Sequence, residues 1–286
     1  MGRLTTSDGR QLAYRKVGDG LPFVCHGGGP GFSASYLRDL GGLDDHVGLV
    51  LLDPRGTGDS DRPDDASAYD VDHYVDDLEE LRRHLGIERL LLLGHSHGGI
   101  VAMAYAAAHP DRVERLVLAS TLARFSAAQR DAMEAAMERC SSEPWYEDAC
   151  AALAAEEAGD YADERELAEI AFREFPFYFA RYGDEARAYL ETIRDDTPNP
   201  DPLKLFNAQL ETFDLRPVLP RITAPTLVIT GEHDFITGPV CAAEIAEGIA
   251  GAETVILPDT GHFVFVESPE AWRDAVLSFL GVEAAA

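Results

Sequence analysis

The pentapeptide Gly94-His95-Ser96-His97-Gly98 constrains this chain more than any other feature. It follows directly on the apolar run Leu90-Leu91-Leu92-Leu93 and precedes the alanine-rich stretch 100–109. A strand that enters G-x-S-x-G and leaves as a helix sets the serine on a sharp, strained turn with its hydroxyl exposed. The flanking residues must be small so that strand and helix can approach each other. Here both flanks are glycine, and Gly99 is a third. The helix that follows would bring its N-terminus beneath the serine, where developing negative charge is stabilised. Glycine-flanked serines also occur in ordinary turns, so the weight of the reading falls on the rest of the chain.

Short apolar runs punctuated by glycine recur through the first 120 residues, at 12–14, 23–25, 47–52, 90–93 and 116–119. Helical patterns lie between the later ones, at 69–85 and 100–109. Strands alternating with helices imply a mostly parallel sheet covered on both faces. The alternation resumes with a strand at 226–230, a helix at about 240–249, a strand at 254–257 and a last helix at 269–280. Between these halves the character changes. Residues 122–217 show helical periodicity, no convincing strand, and an aromatic patch made of Phe172, Phe175, Phe177, Tyr178, Phe179 and Tyr182. This segment reads as a helical cap inserted after the sixth strand, over a core built from 1–121 and 218–286. Part of the patch must pack the cap on its base, and part would present an apolar ceiling to a substrate. The alanine-rich tail 283–286 is expected to fray.

A serine hydroxyl becomes a nucleophile when a histidine takes its proton, and that histidine needs an acid to fix its tautomer. The buried strand Thr226-Leu227-Val228-Ile229-Thr230 runs into Gly231-Glu232-His233-Asp234, which makes Asp234 the candidate acid. Leu257-Pro258-Asp259-Thr260-Gly261-His262-Phe263 leaves another strand, which makes His262 the candidate base. Glu232 and Asp259 read as helpers or solvated turn residues. The segment after the sixth strand, Ala119-Ser120-Thr121-Leu122, offers no competing carboxylate. His95 and His97 form an H-x-H pair, yet on a sharp elbow their side chains diverge and no third ligand is evident, so no metal is expected.

Two backbone N–H groups must face the oxyanion that forms on attack. One is expected from His97, directly after the serine. The other is expected from His26-Gly27-Gly28-Gly29-Pro30-Gly31, with Gly28 the preferred donor and Gly29 the reserve. No G-K-[ST] or dinucleotide spacing accompanies this loop, which argues against phosphate binding. The tight loop Asp53-Pro54-Arg55-Gly56-Thr57-Gly58-Asp59-Ser60 reads as a brace for the oxyanion loop.

Composition narrows the partners. The chain has 286 residues, 51 acidic against 24 basic, and a net charge of −27. That surface disfavours nucleic acid and anionic membranes as partners. No apolar run approaches the roughly 18 to 20 residues of a membrane helix, and the polar start carries no signal-peptide core. The four cysteines, Cys25, Cys140, Cys150 and Cys241, match no zinc or disulfide framework, which fits a reducing cytoplasm. The sequence leaves the oligomeric state open.

With five motifs in this order, the chain resembles the α/β-hydrolase superfamily over nearly its whole length. The fold so implied is an eight-stranded, mostly parallel sheet with helices on both faces and the helical cap after strand 6. H-G-G-G-P-G together with D-P-R-G-T-G-D-S is similar to the prolyl aminopeptidase (proline iminopeptidase) group. That resemblance implies a Ser96–His262–Asp234 triad, no cofactor, and a cap that selects the free amine of a short peptide. Two departures are visible: the group often carries tryptophan where His97 stands, and its cap glutamates have no motif match here. Glu174, beside the aromatic patch, and Glu211 are the candidate stand-ins, with Gly29, Phe175, Tyr178 and Phe263 as further substrate contacts. The glycine loop also looks like that of carbon–carbon hydrolases. An esterase or lactonase of a small apolar compound, a carbon–carbon hydrolase, and a non-catalytic binding protein of this fold therefore stay open.

Overall fold

A computed structural model describes residues 1–282; the tail 283–286 lies outside them. The strands are β1 (Gly2–Thr5), β2 (Gln11–Val17), β3 (Pro22–His26), β4 (Gly48–Leu52), β5 (Leu90–His95), β6 (Val113–Ala119), β7 (Thr226–Gly231) and β8 (Glu253–Leu257). They form one sheet in the order β1-β2-β4-β3-β5-β6-β7-β8, in which the β1–β2 and β2–β4 pairs are antiparallel and every other pair is parallel. Helices α1 (Val71–His84) and α2 (His97–Ala108) connect the first parallel strands. Helices α3 (Ala127–Glu138), α4 (Tyr146–Ala158), α5 (Glu164–Glu174), α6 (Asp184–Glu191) and α7 (Pro200–Gln209) all fall between β6 and β7. The chain closes with α8 (Pro239–Gly248), the single turn α9 (Val264–Glu267) and α10 (Pro269–Leu280).

The central strands are apolar at nearly every position because both faces of the sheet are covered. Alternate residues point to opposite faces, and the two cores follow that period. Cys25, Leu51, Leu91, Leu93, Val117 and Ile229 enter one core with Trp272 and Phe279 of α10. Val24, Val50, Leu52, Leu92, Leu118 and Val228 enter the other, with Leu78 of α1, Met103 and Tyr105 of α2, and Ile245 of α8. The short edge strand β1 carries no readable pattern, since Leu4 alone of its four residues is buried.

Parallel order brings the carboxyl ends of β3, β5, β7 and β8 to one rim of the sheet, where ligands of open α/β folds bind. The glycine loop, Ser96, Asp234 and His262 all leave the sheet there. The insert contributes its own small cores, one of them joining Ala149 and Leu153 of α4 to Phe177 and Phe235. All four cysteines are free thiols, and no helix among the described residues is long and apolar enough to cross a membrane.

Candidate active site

Ser96 sits between β5 and α2 with φ 55° and ψ −124°, a conformation that a side chain adopts only under strain. The glycines around it permit the approach. A Cβ on Gly94 would lie 2.6 Å from the Gly98 carbonyl carbon and from Gly99 Cα, and one on Gly99 would lie 2.5 Å from Thr121 Cβ. The turn is fixed by Ser96 N–H donating to Ala119 O at 3.0 Å and by Thr121 Oγ1 donating to Ser96 O at 2.7 Å.

Asp234 and His262 are both buried at the ends of β7 and β8. His262 Nδ1 lies 3.0 Å from Asp234 Oδ2. The same carboxylate accepts Thr237 Oγ1 at 2.8 Å, Thr237 N–H at 3.0 Å and Ile236 N–H at 3.1 Å. Burial alone would raise the Asp234 pKa. A charged His262 opposite, the hydrogen bond to it and the Thr237 donors outweigh burial and hold the carboxyl below its usual range. Asp234 therefore stays ionised and faces the imidazole. His262 itself lies in the loop after β8, and its backbone N–H donates to Tyr178 O in the insert at 2.7 Å.

A cavity of about 170 Å³ opens on Ser96 and His262. Gly28, Gly29 and Pro30 form one wall; His97, Phe206, Leu203 and Leu210 form another. Phe175, Tyr178 and Phe263 line it, while Phe177 and Phe179 are buried in core clusters. The aromatic patch is thus divided between packing and ceiling.

At its polar end the cavity carries three carboxyl residues, Glu156 and Glu157 of α4 and Glu174 of α5. Glu174 is 1% exposed, its Oε2 has no hydrogen-bond partner, and Tyr178 Oη donates to its Oε1 at 3.4 Å. Burial first, and then the adjacent Glu156 carboxylate, push Glu174 well above the usual carboxylate range. Glu156 is raised as well, mainly by burial.

Two expectations need correction. Glu211 does not reach the cavity; its side chain is 80% exposed and pairs with Arg130 at 3.2 Å. The Gly28 N–H, the preferred oxyanion donor, is engaged elsewhere, donating to the buried Tyr36 hydroxyl at 2.5 Å. Gly29 follows it at φ 69° and lines the cavity, as does His97, the first residue of α2, whose amide has no partner in its own helix. Their histidine neighbours do diverge. His95 turns to Tyr36 and the His262 carbonyl, whereas His97 stacks edge-on against Tyr74 and Phe206. Among the described residues no group of three His, Cys, Asp or Glu could hold a metal ion.

Three contributors were not singled out in the sequence. Thr237, three residues beyond Asp234, could have been found as a capping donor for a turn carboxylate. Glu156 and Glu157 stand at the end of an otherwise apolar alanine run, and no motif marks them. The D-P-R-G-T-G-D-S loop does touch the segment after the glycine loop: Asp53 Oδ1 accepts Ala34 N–H at 3.0 Å.

With this geometry in place, comparison with known proteins gives the class. The alpha/beta hydrolase fold family matches residues 22–269, and the chain belongs to that family. It is 28% identical to a proline iminopeptidase of Saccharolobus solfataricus, over 93% of this chain and 87% of that one. It is 30% identical to the proline iminopeptidase PfmaB of Pestalotiopsis fici, over 91% and 92% of the two chains. Among solved structures, the enol-lactonase of Burkholderia xenovorans is 28% identical and superposes with a TM-score of 0.75, covering 98% of this chain and all of that one.

Proposed function

We propose that the chain is a serine hydrolase that releases an N-terminal residue, proline or a similar small residue, from short peptides through an acyl-enzyme. Ser96 attacks the scissile carbonyl, His262 takes its proton and returns it to the leaving amine, and Asp234 orients and stabilises the imidazolium. The Gly29 and His97 N–H groups hold the oxyanion. Helices α3–α7 act as the cap over the core formed by 1–121 and 218–286.

The observation that carries the amine specificity is the Glu156–Glu174 pair. A buried carboxyl with an unpaired oxygen, pressed against a second carboxyl, is costly to ionise unless a cation joins it. A substrate ammonium supplies that cation while the apolar walls take up the side chain. The similarity to the two proline iminopeptidases supports the same reading. An esterase or lactonase is the second reading, favoured by the largely apolar lining and by the similarity to the enol-lactonase.

The deciding experiment compares proline and alanine amides of a fluorogenic amine with p-nitrophenyl acetate and butyrate, using wild type and Ser96→Ala. Turnover of the unblocked amides, lost on blocking the amine and lost in Ser96→Ala, is expected. Turnover of esters alone would replace the peptidase reading with the second one. Unchanged rates in Ser96→Ala would refute the triad.

A further inference from the structure

One continuous line of hydrogen bonds passes beneath the reaction centre and touches both halves of its machinery. Gly28 N–H lies 2.5 Å from Tyr36 Oη, Tyr36 Oη lies 2.8 Å from His95 Nδ1, and His95 Nε2 lies 3.2 Å from the carbonyl oxygen of His262. Tyr36 is 6% exposed and His95 1%, so water does not compete for these groups.

The direction of every bond follows from counting protons. Burial first, and then the neighbouring His262, lower the His95 pKa to about 3, so its ring is neutral near pH 7 and carries one N–H. A carbonyl oxygen can only accept, so that N–H is at Nε2 and donates to His262 O. Nδ1 is then a bare acceptor, and the single Tyr36 O–H proton goes to it. The phenol oxygen is left to accept the Gly28 N–H. With a neutral ring at position 95, no other arrangement satisfies all three contacts.

His262 needs this support because it sits outside any strand or helix. One of its main-chain groups is held by the Tyr178 carbonyl and the other by His95. The same line ties the Gly28 amide to Tyr36 and fixes the plane of the Gly27–Gly28 peptide, one residue before Gly29. A charged ring at position 95 would stand 4.8 Å from the His262 ring and oppose the imidazolium that forms during attack.

We propose that Tyr36 and His95 are positioning residues: they lock the oxyanion-holding glycine loop and the proton-transferring His262 into one fixed spacing. The inference rests on Ser96 and His262 being the reacting pair, but not on the identity of the substrate. Both residues also line the cavity, so kcat and KM are read separately: the positioning role places the loss in chemistry and not in binding. A displacement of about 1 Å between oxyanion donors and base costs up to about 100-fold in rate.

The test uses p-nitrophenyl acetate hydrolysis, with separate kcat and KM, and the rate of inactivation by a fluorophosphonate. Both are measured on wild type, Ser96→Ala, Tyr36→Phe, His95→Gln and the Tyr36→Phe/His95→Gln double variant, with near-UV circular dichroism to verify the fold. Tyr36→Phe and His95→Gln are expected to lose about 10- to 100-fold in kcat and in inactivation rate, with KM unchanged. The double variant should be no slower than the slower single variant, since one broken link severs the line. Should Tyr36→Phe fail to fold, His95→Gln decides the same question. Wild-type rates in the folded variants, a loss confined to KM, or losses that multiply in the double variant would overturn the proposal. Turnover and labelling that survive Ser96→Ala would instead remove the triad reading beneath it.

Discussion

Replacing Glu174 by glutamine should move stability and amine turnover in opposite directions. In the folded chain this carboxyl is 1% exposed, with one oxygen unpaired and Glu156 beside it. Its folded pKa lies above its unfolded value, so the folded state holds a proton that the unfolded chain has already released. Stability is therefore unaffected below the unfolded pKa of about 4.3. It falls as pH climbs toward the folded pKa, and the full cost persists above it. Glutamine keeps the shape and removes the charge, which should recover about 1–3 kcal/mol at pH 8, the usual cost of a buried unsatisfied group, and little at pH 4. A substrate ammonium loses a charge-assisted hydrogen bond worth about 1.5–3 kcal/mol, so kcat/KM on proline amide should fall by about 10- to 150-fold. p-Nitrophenyl acetate brings no amine and should lose far less. Thermal melts at pH 4 and pH 8 and initial rates on both substrates check the two arms. A melting temperature lowered at pH 8, or equal losses on amide and ester, would refute the reasoning.

Two further outcomes concern the scaffold. Arg55 is 2% exposed and donates to Asp77 through Nε at 2.7 Å and Nη2 at 2.6 Å, so Arg55→Met leaves a buried carboxylate without its partner. A loss of about 3–5 kcal/mol is expected in urea unfolding, and a loss under 1 kcal/mol would show that the pair is dispensable. The net charge of −27 should repel itself at low salt, where the Debye length is about 30 Å, and much less at 1 M, where it is about 3 Å. The melting temperature is expected to rise with sodium chloride across that range, and a flat response would rule out charge repulsion as a limit on stability.

The parts of this molecule that were legible in the sequence are those where backbone geometry dictates residue type. Gly94, Gly98 and Gly99 are required because helix and strand touch at the elbow, so the motif announces its own structure. The runs that became β3 to β7 were readable because burial on both faces removes polar residues from most positions, and the edge strand β8 was readable from its apolar Val255-Ile256-Leu257 although only Leu257 is buried. Strand β1 was not, because four residues with one buried leucine carry no period. Asp234 and His262 stood out as candidates because each follows a recognisable strand, and the structure brings the two side chains within 3.0 Å of each other. Glu211 misled for the complementary reason: in a polar helical segment, a carboxylate that pairs with Arg130 on the surface has the same spelling as one that faces a cavity.

The fate of the glycine loop shows where sequence reasoning stops and three-dimensional accounting begins. Gly28 and Gly29 are equivalent as letters, and either amide could face an oxyanion. The choice between them is made by Tyr36, whose hydroxyl must have a donor because its own proton is committed to His95. That commitment depends in turn on the His95 tautomer, set by the carbonyl of His262 from the far end of the chain. Three residues separated by up to 226 positions in sequence thus decide that the Gly28 N–H is engaged. The carboxyl pair follows the same logic. Glu156 looks like any solvated residue at the end of an alanine-rich helix until α5 packs Glu174 against it, and only then does one carboxyl of the cavity raise the pKa of the other.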